Sequence, residues 1–177
     1  MTRSRWILVI VAALLTGLLQ VTFFSLLPEP FRGVQPVLIL CVLGVAINRS
    51  DAALVFAAVS GLMIDLFTVG AGFLAFAEQM LVVSAVAIIA EKVLTNRSVY
   101  SAVALLLAAR IMSYIWLAAM SFFSRLLFKT QIFIQPFNSL LVTMVWDALF
   151  MCTIFLLLAF FTRRFSVGVA RFNTYDG

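Results

Sequence analysis

Four ionisable side chains stand inside long apolar stretches of this sequence, and their types could do chemistry. They are three acids and one base: Asp65, Glu78, Arg110 and Asp147. A charged side chain within a membrane span is costly unless it faces protein or water, so such residues pair with one another or mark a functional site. This set could therefore form a buried ion pair, or it could line a polar pocket or pathway that opens to the outside.

The residue types that most catalysis needs are missing. The chain has no histidine, so it lacks the usual proton shuttle and the common base that activates a nucleophile. Cys41 and Cys152 stand alone in apolar runs without metal-site spacing, and we expect both to be free thiols. The carboxylates also lack the clustering of a metal-dependent phosphotransferase site. We therefore predict no catalytic residue, no metal, no cofactor and no enzymatic activity.

The composition is that of an integral membrane protein. Hydrophobic residues make up 65% of the chain, charged residues 11%, and the mean hydropathy is +1.19. Soluble domains carry about 25% charged residues. The net charge of +5 is better explained by membrane topology than by binding to nucleic acid.

The apolar runs predict one polytopic membrane domain over residues 1–177, an all-α bundle of six transmembrane helices. The predicted spans are approximately 6–27, 34–47, 52–67, 72–90, 99–123 and 139–162. At about 14 residues, or roughly 21 Å, the second span is short for a bilayer. It either crosses a locally thin membrane with little tilt or is re-entrant. The amphipathic connection 125–138 is predicted to lie in the membrane interface, or to bind a partner.

Lysine and arginine are distributed unevenly between the two sides of these spans. With six spans, both termini share one side with Arg49, Lys92 and Arg97, whereas the opposite loops carry only Arg32, Arg125 and Lys129. Basic residues concentrate in cytoplasmic loops. We therefore predict a multi-pass protein of the bacterial inner membrane with both termini in the cytoplasm.

The topology also predicts which charges lie near one another. Counted at 1.5 Å per helical residue, Glu78, Arg110 and Asp147 fall within roughly 10 Å of one another along the membrane normal. We expect Arg110 to pair with Glu78 or Asp147. The alternative is an outward-facing ligand pocket lined by these three residues together with Tyr114, Trp116 or Trp146.

Asp65 lies close to the end of the third predicted span, just ahead of a turn that contains Gly70 and Gly72. Glycine adopts positive φ at little cost, so these two positions suit a tight turn. We expect the Asp65 carboxylate to accept hydrogen bonds from backbone N–H groups of the turn 68–73 and so to fix the direction of the fourth helix.

The order of these features resembles the rod shape-determining protein MreD family. The resemblance rests on Gln35-Pro36 at the start of an apolar run, on the polar turn Asn48-Arg49, on Gly61 followed by Asp65-Leu66, and on the two glycines of the turn. The specific motifs cover residues 33–73. Val37 departs from the pattern, because the family tends to carry Asp or Asn after the proline, so the role of that polar residue does not transfer to Val37.

The resemblance implies a non-enzymatic component of the bacterial cell-elongation machinery, the elongasome. Its partners would be an MreC-type single-span periplasmic protein, a peptidoglycan synthase and MreB-type filament complex, and membrane lipid. The family is also similar in fold to the substrate-binding membrane subunits of energy-coupling-factor transporters, which gives a vitamin- or solute-binding subunit as the alternative function. Small residues at helical spacing offer candidate contact faces, either for a partner or within the bundle: Ala52, Ala53, Ala57, Ala58 and Gly61, and Ala104, Ala108 and Ala109.

Overall fold

The computed structural model describes residues 3–29, 31–68, 74–93, 99–128 and 136–172, so Gly70 and Gly72 lie outside the described residues. Two short 3₁₀ turns, Phe24–Leu26 and Phe31–Gly33, precede the second of six helices. The helices are α1 Arg3–Thr22, α2 Pro36–Ala46, α3 Ser50–Phe67, α4 Leu74–Val93, α5 Val99–Phe128 and α6 Phe137–Phe172.

Five of these helices are long and apolar enough to cross a membrane: Arg3–Leu26, Ser50–Phe67, Leu74–Lys92, Val99–Leu126 and Asn138–Leu157. The sixth apolar helix, Pro36–Ala46, is shorter. The protein is therefore an all-helical, multi-pass membrane protein, as the composition predicts. Both Cys41 and Cys152 are free thiols, also as predicted.

Several predicted boundaries were wrong. The end of the first span is not one of them: the apolar span is Arg3–Leu26, one residue short of the predicted end, with α1 to Thr22 followed by a 3₁₀ turn. α6 continues past Arg163 and Arg164 to Phe172, because arginine is a good helix former and its charge alone does not end a helix. α5 extends to Phe128 and α6 begins at Phe137, so both ends of the predicted interfacial segment 125–138 belong to helices.

α2 is the centre of the bundle although it is the shortest helix. Seven of its 11 residues are buried, and it packs against α1, α3, α4, α5 and α6. A helix that is apolar on every side is typical of such a central position. Pro36 opens the helix, where its missing N–H is not needed.

The far end of α2 closes in a Schellman motif. Asn48 adopts φ 62°, and the N–H groups of Asn48 and Arg49 donate to the carbonyls of Val45 and Gly44 at 2.9 Å. This left-handed position is where helices most often carry glycine, with asparagine the usual second choice. The polar turn identified in the sequence therefore ends α2 and leads directly into α3.

The small residues of α3 pack inside the bundle. Ala53, Ala57 and Gly61 are buried, and a Cβ on Gly61 would lie 2.8 Å from the Phe76 Cα of α4. Close approach between backbones is the usual role of small residues in membrane helices. On α5, Ala109 is buried whereas Ala104 is exposed. The predicted small-residue faces are thus mainly internal contacts.

Candidate functional site

Arg110 of α5 and Asp147 of α6 form a buried ion pair. Arg110 Nε donates to Asp147 Oδ2, and the two side chains are only 4% and 1% exposed. A buried ion pair is stable only when further hydrogen bonds satisfy its remaining donors and acceptors. The partners of these remaining groups therefore define the site.

The remaining groups of the pair bind the backbone just before α2. Arg110 Nη2 donates to the Gly33 carbonyl, and Asp147 Oδ1 accepts the Gln35 N–H at 3.2 Å. The rings of Phe31 and Trp146 also pack together, with centroids 4.5 Å apart. Side chains of α5 and α6, which are remote in sequence, thus hold residues 31–35 in place.

A third helix completes this contact. Gln20 of α1 accepts the Val37 N–H through Oε1 at 3.2 Å. The first N–H groups of any helix lack partners within the helix and must find them elsewhere. Asp147 and Gln20 supply acceptors on either side of Pro36, which has no N–H. We call Gln20, Arg110 and Asp147, with the backbone of residues 33–37 that they bind, the α2 clamp.

Glu78 does not belong to the clamp. It lies on α4, is 8% exposed, and accepts a hydrogen bond from Ser113 Oγ of α5 at 2.7 Å. The structure thus resolves the alternative left by the sequence: Arg110 pairs with Asp147. Glu78 remains close enough to both Arg110 and Asp65 to interact with their charges.

Asp65 holds the start of α4. Its Oδ1 and Oδ2 accept the N–H groups of Ala75 at 2.9 Å and Phe76 at 2.8 Å. These donors belong to the first turn of α4, whereas residues 69–73 of the turn predicted to provide donors lie outside the described residues. The N-terminus of a helix attracts a carboxylate because its N–H groups are unpaired and its dipole end is positive. Gly61, one turn earlier on α3, allows the close approach that brings Asp65 within reach.

Sequence reasoning missed Gln20 and Ser113 as partners. Gln20 is the largest uncharged polar side chain in the long apolar run of α1, which was the available signal. Ser113 lies three residues after Arg110, on the same side of α5, where residues at this spacing are neighbours. Neither signal identifies the partner, because the order of the helices around the bundle is not written in the sequence.

Two cavities are lined by described residues. A polar pocket of about 320 Å³ is lined by Gln20, Val21, Ser25, Arg32, Gly33, Val34, Gln35 and Thr68. An apolar groove of about 450 Å³ between α5 and α6, the α5–α6 groove, is lined by Leu107, Leu141, Met144, Val145, Ala148, Leu149 and Cys152. Neither contains Glu78, Arg110 or Asp147, nor the aromatic residues of the predicted ligand pocket.

The side chains of the α2 clamp bind the backbone of residues 33–37 and hold it in position. The charges of the clamp are neutralised by each other and by backbone groups. Within the described ranges, no group of three or more His, Cys, Asp or Glu side chains could hold a metal ion.

No protein-family model, no curated protein and no solved structure matches this chain. A functional proposal therefore depends on the motifs of residues 33–73 and on the contacts that these residues make.

Proposed function

We propose that this protein is a non-enzymatic scaffold of the bacterial cell-elongation machinery in the inner membrane. It would bind an MreC-type single-span periplasmic protein and help to couple an MreB-type filament to peptidoglycan synthesis. The observation that supports this role is that the motif residues of 33–73 build the bundle. Pro36 opens the central helix, and Gly61 and Asp65 fix α4 against α3.

The polar interior supports a structural role over solute binding. Arg110 and Asp147 bond to each other and to the chain before α2, and Glu78 bonds to Ser113. A solute-binding subunit would need such groups to face a cavity, since convergent polar groups provide the specificity of ligand pockets. Buried ionic groups are known to fix one arrangement of helices in some proteins, and we assign that role to the α2 clamp.

The α5–α6 groove is our candidate surface for the single span of the partner. Ala148 and Cys152 are small residues four positions apart on α6, and both line the groove. Small residues at this spacing allow a second helix to approach closely, which is how helices associate in lipid. The other lining residues are apolar, so a hydrophobic helix would bury them without leaving a polar group unpaired.

Cysteine cross-linking would test this proposal with a thiol that the chain already carries. Cys152 is partly buried and lines the groove, whereas Cys41 is fully buried in the core. In a Cys41→Ala background, single cysteines placed along the partner's span are expected to form disulfides with Cys152 at intervals of three to four residues. The matched control is Cys152→Ala with Leu15→Cys, which moves the thiol to an exposed position on α1, outside the groove.

Equal cross-linking from positions 15 and 152, or none from either, would reject the groove as the docking surface. Depletion of the protein in its host should also convert rods to round cells; unchanged shape would reject the cell-elongation role itself. The solute-binding alternative makes a different prediction. Native mass spectrometry of the purified protein would then reveal one bound small molecule per chain that Glu78→Gln releases and Arg32→Gln does not.

A further inference from the structure

The polar pocket adjoins the α2 clamp and shares Gln20 and residues 33–35 with it. Its walls come from the end of α1, the turn Phe31–Gly33, residues 34 and 35, and Thr68 just after α3. Its volume of about 320 Å³ is within the range of roughly 300–1,000 Å³ that is typical of ligand pockets. Arg32 is the charged residue among its lining residues, so the pocket favours an anionic group.

Gln35 carries an acceptor in this pocket that has no donor. Its Oε1 is buried and has no hydrogen-bond partner in the structure, and its side chain makes no cap bond to α2. Buried polar atoms without a partner are rare in native proteins and call for an explanation such as a ligand. An occupant that donates a hydrogen bond to Gln35 would remove the cost of this buried oxygen.

The two hydroxyl groups of the pocket already donate their hydrogens to backbone carbonyls. Ser25 Oγ donates to the Val21 carbonyl, and Thr68 Oγ1 donates to the Ile64 carbonyl at 2.8 Å. Both hydroxyl oxygens can therefore still accept hydrogen bonds. The pocket thus combines one cation, Arg32, with several acceptors, and its ligand should combine a negative group with a hydrogen-bond donor.

We propose that the pocket binds a zwitterion in which a phosphate is linked to a primary amine, as in phosphoethanolamine. The phosphate pairs with the Arg32 guanidinium, whose planar fork matches phosphate oxygens. The ammonium group donates to Gln35 Oε1 and to the hydroxyl oxygens.

Two sources carry this chemistry, the headgroup of a phospholipid and a soluble amino phosphate. Exposed Leu66 and Phe67 immediately precede Thr68, and exposed Phe23 lies near Ser25, so apolar surface for acyl chains adjoins the pocket. This site goes beyond the scaffold role and does not depend on it, because it rests only on the pocket and its lining residues.

Native mass spectrometry of the full chain can test the proposal by comparing phosphatidylethanolamine with phosphatidylcholine. The two lipids share the phosphate, but the methylated amine of phosphatidylcholine cannot donate a hydrogen bond. At equal lipid concentrations we expect at least about tenfold preference for phosphatidylethanolamine, because a hydrogen bond to a charged group usually contributes that much or more.

Two substitutions localise the effect. Gln35→Met keeps the length of the side chain but removes its acceptor and should abolish the preference. Arg32→Gln should weaken the binding of both lipids. The matched control is Arg125→Gln, which removes an exposed arginine from α5, outside the pocket, and should change neither result. Thermal unfolding of each variant verifies that it is folded.

Equal retention of the two lipids would overturn the proposal, as would a preference that survives both Gln35→Met and Arg32→Gln. Free phosphoethanolamine distinguishes the two sources. If it displaces the lipid at similar concentrations, the ligand is the soluble amino phosphate. If the lipid stays bound against a hundredfold excess, the ligand is the phospholipid headgroup.

Discussion

Removal of both charges from the Arg110–Asp147 pair should destabilise the protein by less than the sum of the losses caused by removing each charge alone. Arg110→Met keeps much of the side-chain volume but leaves Asp147 as an unpaired acid that is 1% exposed. Asp147→Asn keeps an oxygen for the Gln35 N–H but leaves an unpaired Arg110. The double variant contains neither unpaired charge, so its loss should be smaller than the sum of the two single losses.

The burial of the pair sets the size of the effect. Breaking a buried ion pair by removing one partner usually costs about 3–5 kcal/mol, and an arginine at the middle of a membrane costs about 2.5–3.5 kcal/mol on insertion scales. Each single variant should thus lose about 3 kcal/mol of stability. Arg110→Met also removes the bond to the Gly33 carbonyl, so the double variant should still lose about 3–4 kcal/mol. The difference between the summed single losses and this value is a coupling energy of about 2–3 kcal/mol.

Unfolding in mixed micelles with increasing SDS, followed by tryptophan fluorescence, measures these free energies. Trp146 is adjacent to Asp147 and its ring packs on Phe31, so its emission reports on the clamp once Trp6 and Trp116 are replaced by phenylalanine. The matched control is a second cycle that combines Arg110→Met with Glu78→Gln. Because Glu78 bonds to Ser113, its coupling to Arg110 should be less than half as large.

Additive losses in the Asp147 cycle, within about 0.5 kcal/mol, would refute the ion pair as a source of stability. A larger coupling in the Glu78 cycle would show that Arg110 neutralises the other acid. Either result would also remove the α2 clamp as the basis of the proposed scaffold role.

Substitutions at Gly61, Asp65 and Asn48 test three other contacts, each with the same unfolding assay. Gly61→Ala should lose about 1–3 kcal/mol of stability, because its Cβ would meet Phe76 Cα at 2.8 Å. Gly44→Ala is the control and should lose less than half as much, since its nearest contact is a Cβ at 3.1 Å. Equal losses would contradict a backbone clash. Asp65→Ala should cost about 1–2 kcal/mol by freeing two N–H groups of α4, and Asp65→Asn should cost less; no loss from either would contradict the cap. Asn48→Gly should stabilise by up to about 1 kcal/mol, because φ 62° suits glycine better than asparagine; destabilisation would show that the Asn48 side chain has a role of its own.

The helices and the polar pairing could be predicted because the helices depend on runs of neighbouring residues and the pairing depends on position along each helix axis. Apolar runs predict the helices by length, and Pro36 predicts the start of α2. Counting residues along each helix places Arg110 near two acids at similar depth. The choice between Glu78 and Asp147 depends on the order of helices around the bundle, which residue counting does not provide.

The central position of α2 was also beyond prediction. Its sequence is apolar on every side, and this pattern is shared by a helix that faces lipid and by one that is enclosed by other helices. The end of α6 was misplaced for a related reason. In an apolar chain the boundary of a helix depends on capping contacts such as those of Asn48 and Asp65 more than on hydropathy.

The clamp explains how a helix too short for the bilayer fits within a membrane bundle. α2 has 11 residues, or about 17 Å, against roughly 30 Å of hydrocarbon. Arg110 lies 11 residues, or about 17 Å, after the start of α5, which matches the length of α2. Non-helical backbone is tolerated at such depth only where protein groups satisfy it. Gln20, Arg110 and Asp147 do this for residues 33–37, and the shortness of α2 leaves room for the polar pocket beside its start.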